Sequence, residues 1–214
     1  MSSSRQDSVT CPVCGNTQPF TVWGSVNASL DPELKGKLLD GTLTLFKCEK
    51  CGDSGQVPYE LMYHDMEQKV MFLVGEAGPD MSLLSLGPAV AKLQGGYTYR
   101  LVDCYSELIE KILIWDAGLD DRTVEVFKEL FLRTITGESS VYFSRICDGS
   151  EDEMEFVVVK ETGNGVFPVP FQGMFRVCEA TVCKDLPSVE SERHQWIKVD
   201  REYAMKYIGS RSAE

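Results

Sequence analysis

The sequence predicts an α+β protein whose N-terminal part is organised around a metal ion. Two Cys-x-x-Cys pairs, Cys11/Cys14 and Cys48/Cys51, predict the metal site. Apolar residues recur at helical spacing between residues 103 and 131 and predict two helices. After residue 138 short apolar runs are separated by Gly and Asn, which predicts strands joined by turns.

The cysteine pairs have the spacing that a tetrahedral metal ion requires. Two intervening residues let one tight turn direct both sulfurs at a single Zn²⁺. Gly15 and Gly52 follow the pairs directly, and glycine accepts the positive φ that lets the chain fold back past the metal. The pattern Cys-x2-Cys-x33-Cys-x2-Cys therefore predicts one structural Zn²⁺ ion. The predicted ligands are Cys11, Cys14, Cys48 and Cys51.

Disulfides, free thiols and a redox-active pair are the alternatives to a metal site. Disulfides and free thiols do not need a glycine after each pair. A redox pair normally sits at a helix N-terminus, which lowers the pKa of the attacking thiol. The residues after Cys14 and Cys51 are rich in Gly, Asn, Asp and Ser and cannot start a stable helix. A four-cysteine site is also coordinatively closed, so the sequence favours a structural metal over a catalytic one.

The segment between the cysteine pairs is long enough to need structure of its own. Asp31 can cap a helix and Pro32 suits its first turn, and Gly41 ends the helical pattern. Strands are expected on either side, which makes the region a zinc ribbon with a helix inserted between its halves. The strands predicted in this half of the chain are Phe20 to Val26, Thr42 to Phe46, Val57 to Tyr63, Lys69 to Val74 and Tyr97 to Val102.

The remaining elements predict a helical hairpin and a C-terminal β-meander. Gly118 ends the first helix of the hairpin, and Asp120 or Asp121 caps the second. A weaker helical pattern covers Met81 to Leu93, and Asp200 caps a final helix. The meander strands are Val141 to Ile146, Glu155 to Lys160, Gly165 to Phe171 and Phe175 to Val182, with Trp196 to Val199 as a further strand. We expect a disordered tail over residues 1–8, a ribbon domain with the hairpin over 9–135, and a β-rich domain over 138–210.

Charge and composition limit the range of partners. The net charge is −12, with −3 in the first hundred residues and −9 in the remainder. Nucleic-acid binding requires clustered Lys and Arg, and the sequence shows only an acidic run between Asp148 and Glu155, interpreted as a solvated loop. No apolar run approaches the roughly 20 residues of a membrane span. The polar N-terminus does not resemble a secretory signal, so a cytoplasmic protein is expected.

The other cysteines and the two histidines give no comparable signal. Cys104, Cys147, Cys178 and Cys183 have no recognisable ligand spacing, and free cysteine commonly behaves as a small buried hydrophobe. His64 precedes Asp65, which suggests a metal role or a catalytic pair, but adjacent strand residues point to opposite faces, so a turn position is the favoured interpretation. His194 lies in a polar stretch and is expected at the surface. The motifs of phosphate loops, hydrolase elbows and zinc proteases are absent from the sequence.

Beyond the cysteines, several segments together resemble the CpXC domain proteins. The resemblance covers residues 9–130 and extends through Val22-Trp23-Gly24-Ser25-Val26-Asn27, Asp31-Pro32-Glu33-Leu34, Leu39 to Leu43, Tyr63-His64-Asp65 and Glu107 to Ile112. Glu49 stands where the family's second Cys-Pro-x-Cys motif has proline, a change that leaves the ligands and the glycine intact. The resemblance implies a bacterial or archaeal protein of uncharacterised function and supplies no catalytic residues.

The sequence therefore favours a non-enzymatic, zinc-stabilised interaction or regulatory module with a protein partner. A nucleic-acid-binding ribbon is an alternative that the charge disfavours. An enzyme with a site between the two halves of the chain is a third possibility, for which the sequence offers no converging carboxylates.

Overall fold

A computed structural model describes residues 1–75, 95–135, 139–147, 153–160, 163–192 and 195–209 of the chain. These residues form an α+β fold with six α-helices and three sheets, so the fold class predicted from the sequence is confirmed. Within these ranges, no helix is both long enough and apolar enough to cross a membrane.

Strands and helices both occur throughout the described part of the chain. The strands are β1 (Ser3–Thr10), β2 (Thr17–Asn27), β3 (Leu45–Lys47), β4 (Ser54–Gln56), β5 (Leu61–Asp65), β6 (Val70–Val74), β7 (Thr98–Val102), β8 (Ser140–Ile146), β9 (Glu153–Lys160), β10 (Gly163–Pro170) and β11 (Trp196–Ile197). The helices are α1 (Pro32–Leu39), α2 (Tyr105–Asp116), α3 (Asp121–Leu132), α4 (Arg176–Thr181), α5 (Val189–Glu192) and α6 (Arg201–Gly209). A π-helical turn at Phe171–Phe175 leads into α4.

The described residues fall into two units that divide within α2. The first unit takes the residues up to Leu108 together with β11, and the second takes those from Ile109 to Glu192 and from Lys198 onward. The first unit contains a six-stranded sheet in the order β1-β2-β5-β6-β7-β11. β1 and β2 are antiparallel, as are β5 and β6, whereas β11 runs parallel to β7. Tyr63 stacks on Phe72 (ring centroids 5.6 Å apart) in the middle of this sheet.

The second unit packs its helices on a three-stranded antiparallel sheet of the order β10-β9-β8. Helix α3 lies in the core of the unit, with every side chain from Asp121 to Glu129 buried. Its Phe127 ring contacts Phe156 of β9 and Phe175 of the π-helical turn, each at 5.5 Å between centroids. This aromatic cluster fixes α3 against the sheet.

Because α3 is buried on all sides, its charged residues need buried partners. Lys128 Nζ lies 2.8 Å from Glu110 Oε2 and 2.9 Å from Glu125 Oε2, and all three side chains are at most 9% exposed. The other oxygen of Glu110 accepts the Phe143 N–H at 2.6 Å. The Glu110–Lys128–Glu125 triad therefore ties α2, α3 and β8 together through buried, hydrogen-bonded ionic groups.

Two predicted boundaries differ from the structure. Residues 1–8 were expected to be a disordered tail, but Ser3–Thr10 forms β1 and pairs with β2 along its whole length. No periodic signal marks this strand in the sequence, because β1 is polar and exposed on both faces. The predicted domains, 9–135 and 138–210, also differ from the observed division within α2. Most of the helical hairpin joins the C-terminal strands, because its apolar side chains pack against them.

One predicted strand is wrong, and another is shorter than predicted. Phe175 to Val182 was predicted to be the fourth meander strand but is helical, because Phe171, Phe175 and Cys178 form one buried helical face. Trp196 and Ile197 form a strand, yet it pairs with β7 in the first unit, and Lys198 and Val199 are not part of it. The predictions for Met81 to Leu93 and for His194 lie outside the described residues, as does most of the acidic run between Asp148 and Glu155.

Candidate metal centre

The first cysteine pair occupies the turn of the β1–β2 hairpin. The Cys11 N–H donates to the Asn16 carbonyl at 2.8 Å and closes the hairpin, and the Gly15 N–H donates to the Cys11 carbonyl at 3.0 Å. Gly15 has φ +70°, the left-handed conformation that glycine adopts without strain. The strand pairing therefore fixes the loop that carries the sulfurs of Cys11 and Cys14.

The second pair repeats this construction in the turn of the β3–β4 hairpin. The Cys48 N–H donates to the Asp53 carbonyl at 2.7 Å, and the Gly52 N–H donates to the Cys48 carbonyl at 2.9 Å. Gly52 has φ +77°. The pattern Cys-x-x-Cys-Gly thus specifies the same local structure twice, with hydrogen bonds between equivalent atoms.

The two hairpin turns face each other and bring the four sulfur atoms together. All four lie within 4.8 Å of one another. The Cys11 and Cys51 sulfurs are 3.6 Å apart, as are those of Cys14 and Cys48. A disulfide bond would measure about 2.05 Å, whereas a tetrahedral ion with bonds of about 2.3 Å holds its sulfurs about 3.8 Å apart. The spacing fits ligands of one ion, and the four cysteines predicted from the sequence are all present in the cluster.

One glutamine links the two hairpins beside the cluster. Gln18 Nε2 donates to the Lys47 carbonyl, and the Glu49 N–H donates to Gln18 Oε1, each at 2.9 Å. Phe20 of β2 and Phe46 of β3 meet edge to face with centroids 6.3 Å apart. The sequence carries no motif that marks Gln18, so only the folded chain shows that this residue aligns the two loops.

Backbone N–H groups stabilise negative charge on one sulfur in particular. N–H groups of Cys51 and Lys50 donate to the Cys48 sulfur and, with the neighbouring thiols, lower the pKa of Cys48 to about 6 against the opposing effect of burial. Such N–H donors are the usual outer partners of metal-bound thiolates.

The neighbouring sulfurs oppose a second ionisation in the absence of a cation. The Asp53 N–H donates to the Cys51 sulfur and lowers its pKa, but hydrogen bonds with the other three thiols and burial raise the pKa of Cys51 to about 12. The Asp53 carboxylate adds negative charge 3.9 Å from the Cys11 sulfur. Like charges this close cannot all form unless a cation lies among them, which is the condition that a divalent metal satisfies.

His64 belongs to a separate polar group in the six-stranded sheet. The Leu30 N–H donates to Asn27 Oδ1 at 3.0 Å, so the Asn27 amide nitrogen faces His64 Nδ1 at 3.3 Å. Nδ1 must then accept a hydrogen bond from the Asn27 amide, which leaves the ring proton on Nε2. The Nε2–H group donates to the Tyr97 hydroxyl at 3.0 Å. Burial and the positive N-terminus lower the pKa of His64, which favours the neutral ring. These bonds go to Asn27 and Tyr97, and Asp65 instead accepts backbone N–H groups in the following turn.

The four remaining cysteines lie away from the cluster in the described part of the chain. Cys104 is exposed at the start of α2, and Cys147 is half-buried after β8. Cys178 and Cys183 are buried in the core of the second unit, where their mutual hydrogen bond and burial raise the pKa of Cys178. Cys178 and Cys183 thus occupy core positions, as expected for small buried hydrophobes.

A family model described as CpXC protein matches residues 9–128. The match covers more than half of the 214 residues and includes both cysteine pairs. Searches of curated proteins and of solved structures give no match.

Proposed function

Because the chain belongs to the CpXC family and its four cysteines converge, we propose that it is a non-enzymatic interaction or regulatory module stabilised by one structural Zn²⁺. The observation that carries the proposal is the set of four sulfurs within 4.8 Å of one another. The ligands would be Cys11, Cys14, Cys48 and Cys51, two from each hairpin turn.

The bound metal would cross-link two hairpins that are far apart in the sequence. The β3–β4 hairpin has only three residues in each strand, and short two-stranded hairpins are marginally stable in water. Binding energy of a structural zinc site adds directly to folding energy. Four thiolates also fill the tetrahedral coordination sphere, which favours a structural over a catalytic role.

The proposed partner is another protein. A net charge of −12 opposes binding to nucleic acid phosphates. A reducing compartment such as the cytoplasm would keep the thiols available for metal. Because four thiolates would leave no open position on the metal, the partner would bind to exposed strands of the first unit rather than to the ion.

The proposal is tested by measuring the metal content of protein purified without added metal. We expect about one zinc per chain in the wild type and loss of zinc in Cys51→Ser. Cys104→Ser is the matched control, since both residues are exposed free cysteines and only Cys51 belongs to the cluster. The thermal midpoint should fall in Cys51→Ser and stay unchanged in Cys104→Ser.

Other results would contradict the proposal in distinct ways. A tetrahedral four-thiolate set also suits iron, so stoichiometric iron with visible absorbance would refute zinc while keeping the site. Absence of metal together with rapid alkylation of Cys11 and Cys14 would refute the structural centre itself.

A further inference from the structure

Strand β1 lies at one end of the six-stranded sheet, among the described residues. It pairs with β2 on one side, and its side chains from Ser3 to Ser8 are exposed. An outer strand presents unpaired backbone N–H and C=O groups to which another strand can bond. The first unit thus offers an accessible polar edge next to the hairpin turn of the metal centre.

The hairpin turn determines which backbone groups face outward. The Cys11 N–H bonds to the Asn16 carbonyl in continuation of the β1–β2 register. Hydrogen-bonded and non-hydrogen-bonded pairs alternate along an antiparallel ladder. From Arg5 onward, past the register shift between Ser3 and Ser4, the odd-numbered residues of β1 therefore bond to β2. The Ser8 N–H agrees with this alternation, because it donates to its neighbour Asp7 Oδ1 at 2.8 Å. The outward-facing backbone groups therefore include those of Ser4, Gln6 and Ser8.

Two opposite charges on this edge are arranged symmetrically about Gln6. The side chains of Arg5 and Asp7 are 67% and 55% exposed, with Arg5 Nε 3.8 Å from Asp7 Oδ2. If two β1 strands pair antiparallel about Gln6, Arg5 of each copy lies opposite Asp7 of the other. Since Gln6 makes the backbone hydrogen bonds, these charged residues form non-hydrogen-bonded pairs, in which side chains approach most closely.

The charges also select this register over its neighbours. A shift of one residue would place an outward-facing backbone group opposite an inward-facing one. A shift of two residues would place Arg5 opposite Arg5, or Asp7 opposite Asp7, and like charges directly opposite are destabilising. The register centred on Gln6 is therefore favoured over the adjacent ones.

We propose that two copies of this chain associate through their β1 strands, antiparallel and centred on Gln6. The occupant of the edge is a second copy because the edge complements itself in charge. On association the Ser8 N–H exchanges its bond to Asp7 for the Ser4 carbonyl of the other copy, and Asp7 turns to the opposing Arg5. This inference rests on the proposed interaction role and names its surface and partner.

Charge reversal tests the pairing in sedimentation equilibrium at about 0.15 M salt, where the Debye length is about 8 Å. Arg5→Asp and Asp7→Arg each replace two attractive pairs per dimer by two repulsive ones. We expect each variant to weaken the dimer on the order of tenfold or more. The double variant Arg5→Asp/Asp7→Arg restores the complementarity and should dimerise as the wild type does. An equimolar mixture of the two single variants should form a heterodimer.

A backbone variant tests the hydrogen bonds independently of the charges. Gln6→Pro removes an N–H that faces outward, and proline is tolerated on an outer strand, so the fold and zinc content should persist while the dimer is lost. A wild type that stays monomeric up to about 1 mM would overturn the inference and leave the edge to a strand of another protein. Dimerisation that both single variants and Gln6→Pro leave unchanged would place the interface elsewhere. All variants keep the four cysteines, so zinc content separates failure of this inference from failure of the proposed metal role.

Discussion

Replacement of Lys128 by methionine should destabilise the second unit by about 3–5 kcal/mol, the cost of breaking a buried ion pair. Methionine keeps the length of the side chain but removes the ammonium that holds two carboxylates. Lys128 Nζ lies 2.8 Å from Glu110 Oε2 and 2.9 Å from Glu125 Oε2, with side-chain exposures of 3% and 9% for the two acids. Two carboxylates would then be buried close together without the ammonium that contacts both of them.

The pH dependence of the stability of Lys128→Met provides a second, independent test. Burial raises the pKa of Glu110, and Lys128 lowers it, so the variant should raise it further. A carboxyl whose pKa is higher in the folded state than the unfolded value of about 4.3 binds a proton that the unfolded chain has released. Stability of the variant should therefore decrease as the pH rises. We expect a larger difference from the wild type at pH 8 than at pH 5.

Urea unfolding followed by circular dichroism at both pH values measures the effect. Arg145→Met is the matched control, because Arg145 pairs with Glu155 at 2.7 Å but is 67% exposed. A surface pair of this kind contributes about 0–1 kcal/mol. If Lys128→Met costs no more than Arg145→Met, or costs the same at pH 5 and pH 8, the buried triad does not hold the second unit together.

Three further predictions concern the metal loop, the histidine and the aromatic core. Gly52→Ala should weaken metal binding on the order of tenfold in chelator competition, since its φ of +77° costs an L-residue about 1–2 kcal/mol. Gly36→Ala is the control and should leave metal binding unchanged, because the new Cβ meets no atoms at either position. NMR titration should give His64 a pKa below 6.5, because burial lowers it. Protonation then favours the unfolded chain, so the stability that His64 contributes is present above pH 6.5 and is lost as the pH falls. A measured pKa above 6.5 would contradict the contact with Asn27. Phe156→Ala should lower the free energy of unfolding in urea by about 3–5 kcal/mol. The control Val166→Ala should lower it by less than about 0.5 kcal/mol, because Val166 is 60% exposed. Equal losses of stability would contradict the packing of Phe156 in the core.

Each half of the four-cysteine cluster could be predicted because the geometry of each cysteine pair is local. Each Cys-x-x-Cys-Gly turn is fixed by hydrogen bonds within six residues, such as Cys48 N–H to the Asp53 carbonyl. Consecutive residues therefore determine the spacing of the two sulfurs within each pair. Gln18 could not be predicted, because its bonds to Lys47 and Glu49 join residues about thirty positions apart.

The wrongly predicted elements show two different limits of pattern-based prediction. β1 has no apolar alternation because both of its faces are exposed, and only its partner β2 orders it. The Phe175 to Val182 segment did carry a usable signal. Phe171, Phe175 and Cys178 recur at helical spacing, but the short apolar runs separated by Gly and Asn favoured a strand.

Long-range pairing was the least predictable feature of the fold. β11 follows helices of the second unit in sequence but pairs with β7 in the first unit. There the ring centroids of Trp196 and Tyr99 are 5.0 Å apart. Nothing in a two-residue strand identifies its partner. The α+β class itself was predictable because it depends only on separate runs of helical and of extended segments along the chain.

X-ray absorption at the zinc edge of protein purified without added metal tests the central claim most directly. One ion bound by Cys11, Cys14, Cys48 and Cys51 should give a single shell of four sulfurs at about 2.3 Å. A mixed shell with oxygen or nitrogen neighbours, or protein that contains no zinc, would contradict the four-thiolate centre.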